Sequence, residues 1–213
     1  MTVKWLYYWQ PNVGGTMSSQ TLFDAFKRIE ALHGSKTFRW QITASQFRPN
    51  QRDSPVPPVD CARELWGVSF SEVPDKYFFA LRQDHMVVEA DATMQAIMEK
   101  LQVYRNRLTI LFEGFQYELG DFHIKAGRAV LAHTENLRGI VLEVDYKPLS
   151  SVEQSRRVVE DFMKVLNKGV VTGQFIPLDP NFPEYSLPDL YSWQHTSLQY
   201  VTLMAHVLSQ QRT

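Results

Sequence analysis

The chain has 213 residues, of which 44% are hydrophobic and 21% charged, so it can bury a substantial core as a single domain over residues 1–213. Its formal net charge of −1 gives no general attraction to nucleic acid or to an anionic membrane. One cysteine excludes an internal disulfide, and the absence of a signal-peptide pattern or a long apolar run predicts a soluble intracellular protein.

The first part of the chain predicts two strands separated by a helix. Residues 2–9 are rich in aromatic and β-branched residues and end at a Gln-Pro-Asn turn. Residues 19–32 have apolar residues at helical spacing, with Ser18 or Ser19 as the N-terminal cap and Gly34 as the C-terminal cap. Residues 37–47 alternate between apolar and polar side chains, which indicates a second strand.

A proline-rich segment at residues 48–60 predicts a surface loop. Three short strands follow, at residues 64–71, 76–82 and 85–90. Asp91 then begins a predicted helix that extends to about Tyr104. Its apolar stripe consists of Met94, Ile97, Met98 and Leu101.

The densest strand pattern lies in residues 108–148 and predicts an antiparallel meander. Its strands are residues 108–118, 121–129 and 140–147, with a tight turn at Gly120. The second and third strands alternate, which predicts one polar face and one apolar face.

Two helices are predicted after Pro148. A capping box of Ser150 and Glu153 begins the first, which ends near Gly169. Its predicted inward residues are Val158, Val159, Phe162, Val165 and Leu166. A loop at residues 170–189 leads to the last helix, residues 192–209, whose predicted buried stripe is Tyr200, Val201, Met204, Val207 and Leu208.

This order of elements predicts an α+β fold. Helices are few and are separated by runs of strands, which disfavours a doubly wound parallel sheet. Antiparallel strands in this number tend to curl and close, because closure removes exposed edges. We therefore predict an eight-stranded, mainly antiparallel β-barrel or strongly curved sheet, with about four helices packed outside.

One strand carries a pattern that could support catalysis. Glu143 and Asp145 alternate on the last strand of the meander and precede Lys147. Such E-x-E-x-K strands hold a divalent metal in tunnel-shaped polynucleotide triphosphatases, and Glu89 with Asp91 could supply a second pair. A solvated strand face gives the same pattern, and so short a motif favours that interpretation.

Other chemistry is not indicated. Gly14 and Gly15 lack the Lys-Ser/Thr of a phosphate loop, the six histidines show no metal-ligand spacing, and Cys61 has no neighbouring histidine. Basic residues are interspersed with acidic ones, which is typical of a solvated surface. We predict no catalytic residue, no metal site, no cofactor and no direct contact with nucleic acid or a membrane.

Aromatic residues are concentrated in a proline-rich stretch near the end of the chain. The candidate partner-binding residues are Phe182, Tyr185, Tyr191 and Trp193. Aromatic side chains outside regular structure are enriched at partner surfaces. The alternative is that these rings fold back and cover one end of the barrel.

The meander also carries a family signature. Its residues are Gly114, Tyr117, Gly120, Asp121, Phe122, Gly127, Arg138, Gly139, Glu143 and Tyr146. In this spacing they resemble the Mediator subunit 20 family, and the segments VKWLYYWQPN, SSVEQSRRVVEDFM and PNFPEYSLPDLYSWQHTSLQY resemble its plant members.

The resemblance implies a non-catalytic subunit of the Mediator head module, a nuclear coactivator of RNA polymerase II transcription. It implies a heterodimer with subunit 18 through related β-barrels that are similar to the triphosphatase tunnel, and a helix of subunit 8 that anchors the pair. Contact with RNA polymerase II would then be indirect. The alternative function is a tunnel-type metal-dependent polynucleotide phosphohydrolase that uses Glu143, Asp145 and Lys147.

Overall fold

The structure is a computed structural model that describes residues 1–50, 64–169 and 172–210. These residues form nine strands: β1 (Lys4–Pro11), β2 (Ser35–Pro49), β3 (Leu65–Phe70), β4 (Lys76–Leu81), β5 (Met86–Asp91), β6 (Tyr104–Leu119), β7 (Phe122–Leu131), β8 (Leu137–Tyr146) and β9 (Gly173–Pro177). The helices are α1 (Ser19–Ala31), α2 (Thr93–Leu101), α3 (Val152–Asn167) and α4 (Trp193–Ser209).

All nine strands belong to one antiparallel sheet in the order β5-β4-β3-β2-β6-β7-β8-β1-β9. The predicted α+β class with a mainly antiparallel, strongly curved sheet and four helices is confirmed. The helices were predicted to pack outside the sheet, but α4 lies on its inner face. The predicted number of strands was one too low, because β9 lies in the stretch that the sequence predicted to be a loop. β9 is only five residues long and pairs with the far end of β1.

The sheet curls around α4. In the sheet, β1 and β5 lie seven strand positions apart, which would be about 34 Å if the sheet were flat. Yet Gln199 accepts a hydrogen bond from Leu6 N at 3.0 Å, while Gln194, only about 8 Å away along the helix axis, donates to Val87 O at 3.5 Å. The two edge strands, β5 and β9, are not paired with each other. The architecture is therefore a strongly curved, open sheet.

Each face of the sheet has its own hydrophobic core. The inner face packs on α4, with Trp40, Phe112 and Tyr200 among its buried side chains. The outer face packs on α1 and α3, with Tyr117 and Val159 in its core. None of the described helices is long and apolar enough to cross a lipid bilayer.

One predicted helix cap and one predicted turn are confirmed, and a second predicted helix cap is wrong. Ser18 caps α1, since its hydroxyl accepts a hydrogen bond from Thr21 N at 3.3 Å. Gly120 has a φ of 57° in the β6–β7 turn, a conformation that glycine adopts without steric cost. After α1, however, the left-handed residue is His33 with a φ of 67°, and not Gly34.

Helix α2 differs from its prediction in length and in burial. It ends at Leu101, because Tyr104 already pairs with Pro49 as the first residue of β6. Asp91 does bind its first turn, where its carboxylate accepts a hydrogen bond from Thr93 N at 2.9 Å. Of the predicted apolar stripe, Met98 is half-buried against a core cluster that includes Phe47 and Tyr77. The other three residues of the stripe face solvent, and Leu101 is 65% exposed.

The last two helices also depart from their predicted details. The N-terminal cap of α3 is Ser151, whose side chain makes no capping hydrogen bond, so the predicted capping box was wrong. Val165, predicted to face inward, is 48% exposed, because Met163 takes the inward position. Helix α4 is buried on several sides and also encloses polar residues such as Gln199.

The two predicted loops are only partly described. Arg48 and Pro49 extend β2 and pair with β6, whereas residues 51–63, including Cys61, lie outside the described residues. The loop predicted at residues 170–189 contains β9 and a short 3₁₀ turn at Phe182–Glu184, and residues 170 and 171 lie outside the described residues.

Candidate functional site

A charged cluster is buried on the inner face of the sheet, between β1, β7, β8 and α4. Lys4 and Lys125 each place Nζ 3.1 Å from Glu143 Oε1, and the Tyr200 hydroxyl donates to Glu143 Oε2 at 2.9 Å. Lys4, Lys125 and Glu143 are 6%, 4% and 3% exposed. Glu143 is thus the acceptor at the centre of this cluster.

Glu72 completes the cluster from the turn after β3. Its carboxylate lies 2.7 Å from Lys125 Nζ and 3.8 Å from Lys4 Nζ. Two ammonium groups therefore face two carboxylates. We call Lys4, Glu72, Lys125, Glu143 and Tyr200 the inner cluster, and its two lysines and two glutamates balance in charge.

The electrostatics keep Glu143 and Lys125 ionised. Burial alone would raise the pKa of Glu143, but Lys125 and Lys4 outweigh burial and lower that pKa to about 2. Burial alone would lower the pKa of Lys125, but Glu143 and Glu72 raise it above its usual value. Burial, together with the Glu143 charge, raises the pKa of the Tyr200 hydroxyl. The tyrosine therefore stays neutral and donates.

A cavity of about 320 Å³ opens beside the inner cluster. His123 lines this cavity and lies between two carboxylates, with Nδ1 3.6 Å from Asp145 Oδ1 and Nε2 3.3 Å from Glu118 Oε1. Burial raises the pKa of Asp145, although the charges of His123 and Lys4 oppose this effect. Lys147 is at the exposed end of β8, 4.0 Å from Glu118.

The structure separates the residues of the proposed E-x-E-x-K site. Glu143 and Asp145 lie on the buried inner face, so the interpretation of a solvated strand face was wrong for both. Lys147 does not reach them and is 43% exposed. No group of three His, Cys, Asp or Glu side chains within the described residues could hold a metal ion.

The second acidic pair lies elsewhere. Glu89 and Asp91 are on the edge strand β5, where Glu89 binds Lys76 at 3.0 Å and Asp91 binds the first turn of α2. They do not join the inner cluster.

Two glycines of the family signature allow β6, β7 and Trp40 to pack closely. Gly114 and Gly127 face each other in the β6–β7 register. A Cβ on Gly114 would collide with the carbonyl oxygen of Ala126, and one on Gly127 would lie 2.7 Å from the Trp40 ring. The role of these positions is therefore structural.

Other signature residues join the meander to the helices. Phe122 contacts Tyr146 at 4.9 Å between ring centroids and stacks on Phe162 of α3 at 4.6 Å. The backbone of Gly139 lies against Val207 of α4, and the Tyr117 hydroxyl donates to Glu30 of α1 at 3.4 Å. Of the remaining signature positions, Asp121 accepts a backbone hydrogen bond from Lys147 N at 3.0 Å and Arg138 is half-buried beside α4.

The candidate partner-binding aromatics pack on the chain's own core. Tyr191 is 7% exposed and its hydroxyl donates to Lys4 O at 3.2 Å. Trp193 is half-buried against Phe70, with ring centroids 4.9 Å apart. Phe182 and Tyr185 are half-buried as well.

The segment that carries these aromatics connects the two ends of the sheet. Leu178 N donates to Leu6 O at 2.8 Å, and Ser186 N donates to His85 O at 3.3 Å in the β4–β5 turn. This placement agrees with the alternative from the sequence, in which the rings cover an open end. Partner binding by the four aromatic residues stays a prediction.

The sequence analysis did not identify Lys4, Glu72 and Tyr200 as members of a buried cluster, although the position of Lys4 indicated a buried ion pair. It is the one charged side chain in an aromatic and apolar strand, where a charge needs a buried partner. Glu72 and Tyr200 come from distant segments, and no sequence pattern joins them to β8.

An exposed apolar surface was also missed. Half of the twelve exposed large hydrophobic residues in the described part of the chain lie between residues 86 and 103. We call them the β5–α2 surface: Met86, Val88, Met94, Ile97, Leu101 and Val103.

The described residues thus form an α+β protein with a curved antiparallel sheet, a charge-balanced inner cluster and an exposed apolar surface. The family model described as "TATA-binding related factor (TRF) of subunit 20 of Mediator complex" matches residues 1–205. The chain belongs to the Mediator subunit 20 family, as its signature indicated. It is 40% identical to Mediator of RNA polymerase II transcription subunit 20b of Arabidopsis thaliana, over 98% of this chain and 97% of that relative.

Solved structures with a similar chain path have low sequence identity. A chain in the Schizosaccharomyces pombe Mediator head module is 10% identical, with a TM-score of 0.45 over 82% of this chain and all of that chain. An RNA triphosphatase of S. pombe is 11% identical, with a TM-score of 0.39 over 76% of this chain and 84% of that chain.

Proposed function

We propose that this chain is a non-catalytic subunit of the Mediator head module, a coactivator of RNA polymerase II transcription that acts in the nucleus. The observation that carries the proposal is the family match over residues 1–205, together with the 40% identity to an Arabidopsis Mediator subunit. Residues 1–213 form one domain in this proposal, and contact with RNA polymerase II is indirect.

The inner cluster supports the absence of catalysis. A tunnel-type phosphohydrolase needs carboxylates that are free to bind a metal and cations that are free to bind phosphates. Here, the ammonium groups of Lys4 and Lys125 form ion pairs with the Glu143 carboxylate, and the Glu72 carboxylate forms ion pairs with both lysines. The groups that such chemistry requires neutralise each other instead.

The proposed partner is Mediator subunit 18, in a heterodimer that a helix of subunit 8 anchors to the head. The β5–α2 surface supports this proposal, because exposed large apolar side chains concentrated in one part of a protein are typical of interaction sites. Among the described residues, β5 is an edge strand in the same region, and an edge strand can pair with a strand of another chain. Phe182, Tyr185, Tyr191 and Trp193 remain the second proposed contact, and each partner would bury about 800 Å².

Co-expression with a subunit 18 homologue, followed by size-exclusion chromatography at micromolar concentration, tests the proposal. We expect the two chains to elute together in a 1:1 ratio. Elution as two separate chains would contradict the proposed heterodimer.

One observation favours the alternative function, a phosphohydrolase that uses Glu143, Asp145 and Lys147. The 320 Å³ cavity brings Glu143 and Asp145 together on the inner face. A triphosphate-release assay with Mn²⁺ or Mg²⁺ tests it, with Asp145→Asn as the variant. We expect no release above buffer from either protein, whereas release by the native chain that the variant loses would establish the hydrolase.

A further inference from the structure

The outer face of the sheet carries a groove of about 550 Å³ between α1 and strands β2, β6 and β7. Four half-buried apolar side chains line it: Leu22, Phe26, Phe115 and Leu137. We call this region the outer groove. It lies on the opposite side of the sheet from the inner cluster, and neither the proposed catalytic site nor the β5–α2 surface includes it.

Packing fixes the floor of the groove. Phe26 of α1 meets Phe115 of β6 edge to face, with ring centroids 5.9 Å apart. Lys36 Nζ lies 3.2 Å from the centroid of the Phe115 ring, and the Arg39 guanidinium lies 5.5 Å from it. The floor is therefore an aromatic pair that carries two cations at its margin.

The margin of the groove is positively charged. Arg128 donates twice to Glu113, at 3.0 and 2.7 Å, so this pair contributes no net charge. Within the described ranges, Arg39 and Lys36 form no ion pair with a carboxylate, and both are exposed. Helix α1 also begins at the groove, and its first turn contains no acidic residue to offset the helix dipole.

We propose that the outer groove binds an acidic segment of another protein, in which a carboxylate lies next to a leucine or phenylalanine side chain. The apolar residue packs against the groove lining formed by Leu22, Phe26 and Leu137. The carboxylate pairs with the Arg39 guanidinium in the bidentate geometry that arginine favours. The positive margin favours a carboxylate, and the apolar floor favours a leucine or phenylalanine side chain next to it. None of the groove residues belongs to the surfaces proposed for the heterodimer.

Single-stranded nucleic acid is the less suitable anion. Nucleic-acid binding of this kind relies on bases that stack on free aromatic faces. Here, Phe26 contacts Phe115 edge to face and the Lys36 ammonium lies over the Phe115 ring, so a base has little open ring surface.

Fluorescence anisotropy on the full chain tests the proposal. The probe is a labelled peptide that alternates glutamate with leucine and phenylalanine, and its control replaces every glutamate with glutamine. The test variant is Arg39→Glu. Arg107→Glu is the matched control, because Arg107 is also exposed, its replacement makes the same change in charge, and it lies at the other end of β6, outside the groove.

We expect the acidic peptide to bind the native chain and the Arg107→Glu variant equally, and the Arg39→Glu variant at least about tenfold more weakly, which corresponds to loss of one charge-assisted pair. Equal binding of the glutamine peptide, equal loss in both variants, or no binding of the acidic peptide would overturn the proposal. So would tighter binding of a single-stranded oligonucleotide, or self-association of the chain that Arg39→Glu abolishes.

Discussion

The Nζ atom of Lys4 lies 3.1 Å from Oε1 of Glu143, although 139 positions separate the two residues in the chain. This pair joins β1 to its neighbour β8 beneath α4, where both side chains are almost fully buried. A buried ion pair contributes little over a well-packed apolar pair, but loss of one partner leaves the other charge uncompensated. Several predictions about stability depend on this asymmetry.

Replacement of Glu143 by glutamine should destabilise the chain strongly. The variant leaves Lys4 and Lys125 buried with only Glu72 as a carboxylate, so we expect a loss of about 3–5 kcal/mol in the free energy of unfolding. Urea denaturation measures this loss. Glu89→Gln is the control, because its ion pair with Lys76 is about 40% exposed and should cost less than about 1 kcal/mol. Equal losses in the two variants would contradict the assignment.

The same pair predicts a pH dependence. Because the fold lowers the pKa of Glu143 from 4.5 to about 2, its contribution is fully present above about pH 4.5 and is lost as the pH falls toward 2. The shift corresponds to about 3 kcal/mol. The raised pKa of Asp145 acts in the opposite direction. Because this carboxyl is harder to ionise in the folded state than in the unfolded state, it lowers the free energy of unfolding as the pH rises.

The Glu143 charge also raises the pKa of Asp145, so the Glu143 contribution is isolated in proteins that both carry Asp145→Asn. We expect the stability difference between Asp145→Asn and the double variant Glu143→Gln, Asp145→Asn to be constant from pH 7 to pH 5 and to decrease below that. Urea titrations at several pH values measure it. A difference that stays constant down to pH 3, or grows, would show that Glu143 is not held ionised by its lysines.

Gly127→Ala should be more damaging than Gly120→Ala. A Cβ on Gly127 would meet the Glu113 carbonyl and the Trp40 ring, so β6 and β7 must separate or the indole must move. We expect a loss of about 2–3 kcal/mol, as for overpacking of a core. A Cβ on Gly120 meets open space and costs about 1 kcal/mol through its positive φ. Thermal denaturation that ranks the two variants in the opposite order would refute this account of the signature glycines.

The double variant Ile97→Lys, Leu101→Lys should affect binding and leave folding intact. Both residues are exposed on α2, so we expect the stability of the isolated chain to change by less than about 1 kcal/mol. In biolayer interferometry, binding to a subunit 18 homologue should weaken at least about tenfold. Val165→Lys, which alters an equally exposed apolar residue on α3, is the control and should bind normally. Normal binding by the double variant would place the contact elsewhere.

Local signals were sufficient for most of the fold. The glycine at position 120, the serine cap at position 18 and the alternation in β7 and β8 each determine a nearby turn, cap or strand. Their physical causes act within a few residues, so they can be identified without tertiary structure. The α+β class and the curved sheet follow from the order of these elements.

What the sequence did not reveal depends on contacts between distant segments. Strand β9 is a five-residue segment that forms a strand because it pairs with β1 on the side opposite β8. The polar alternation of β8 suggested solvent, but the face that holds Glu143 is covered by α4 and neutralised from β1 and β7. Helix α2 has an apolar stripe at helical spacing, yet within the described residues only Met98 of that stripe packs against a core cluster, and Leu101 is 65% exposed.

Sedimentation velocity of this chain mixed with a subunit 18 homologue, each at about 1 µM, tests the central claim most directly. The account predicts one faster boundary with the mass of a 1:1 complex and loss of the two monomer boundaries. Two independent boundaries at the monomer values, with both proteins folded by circular dichroism, would contradict a binding subunit of the Mediator head.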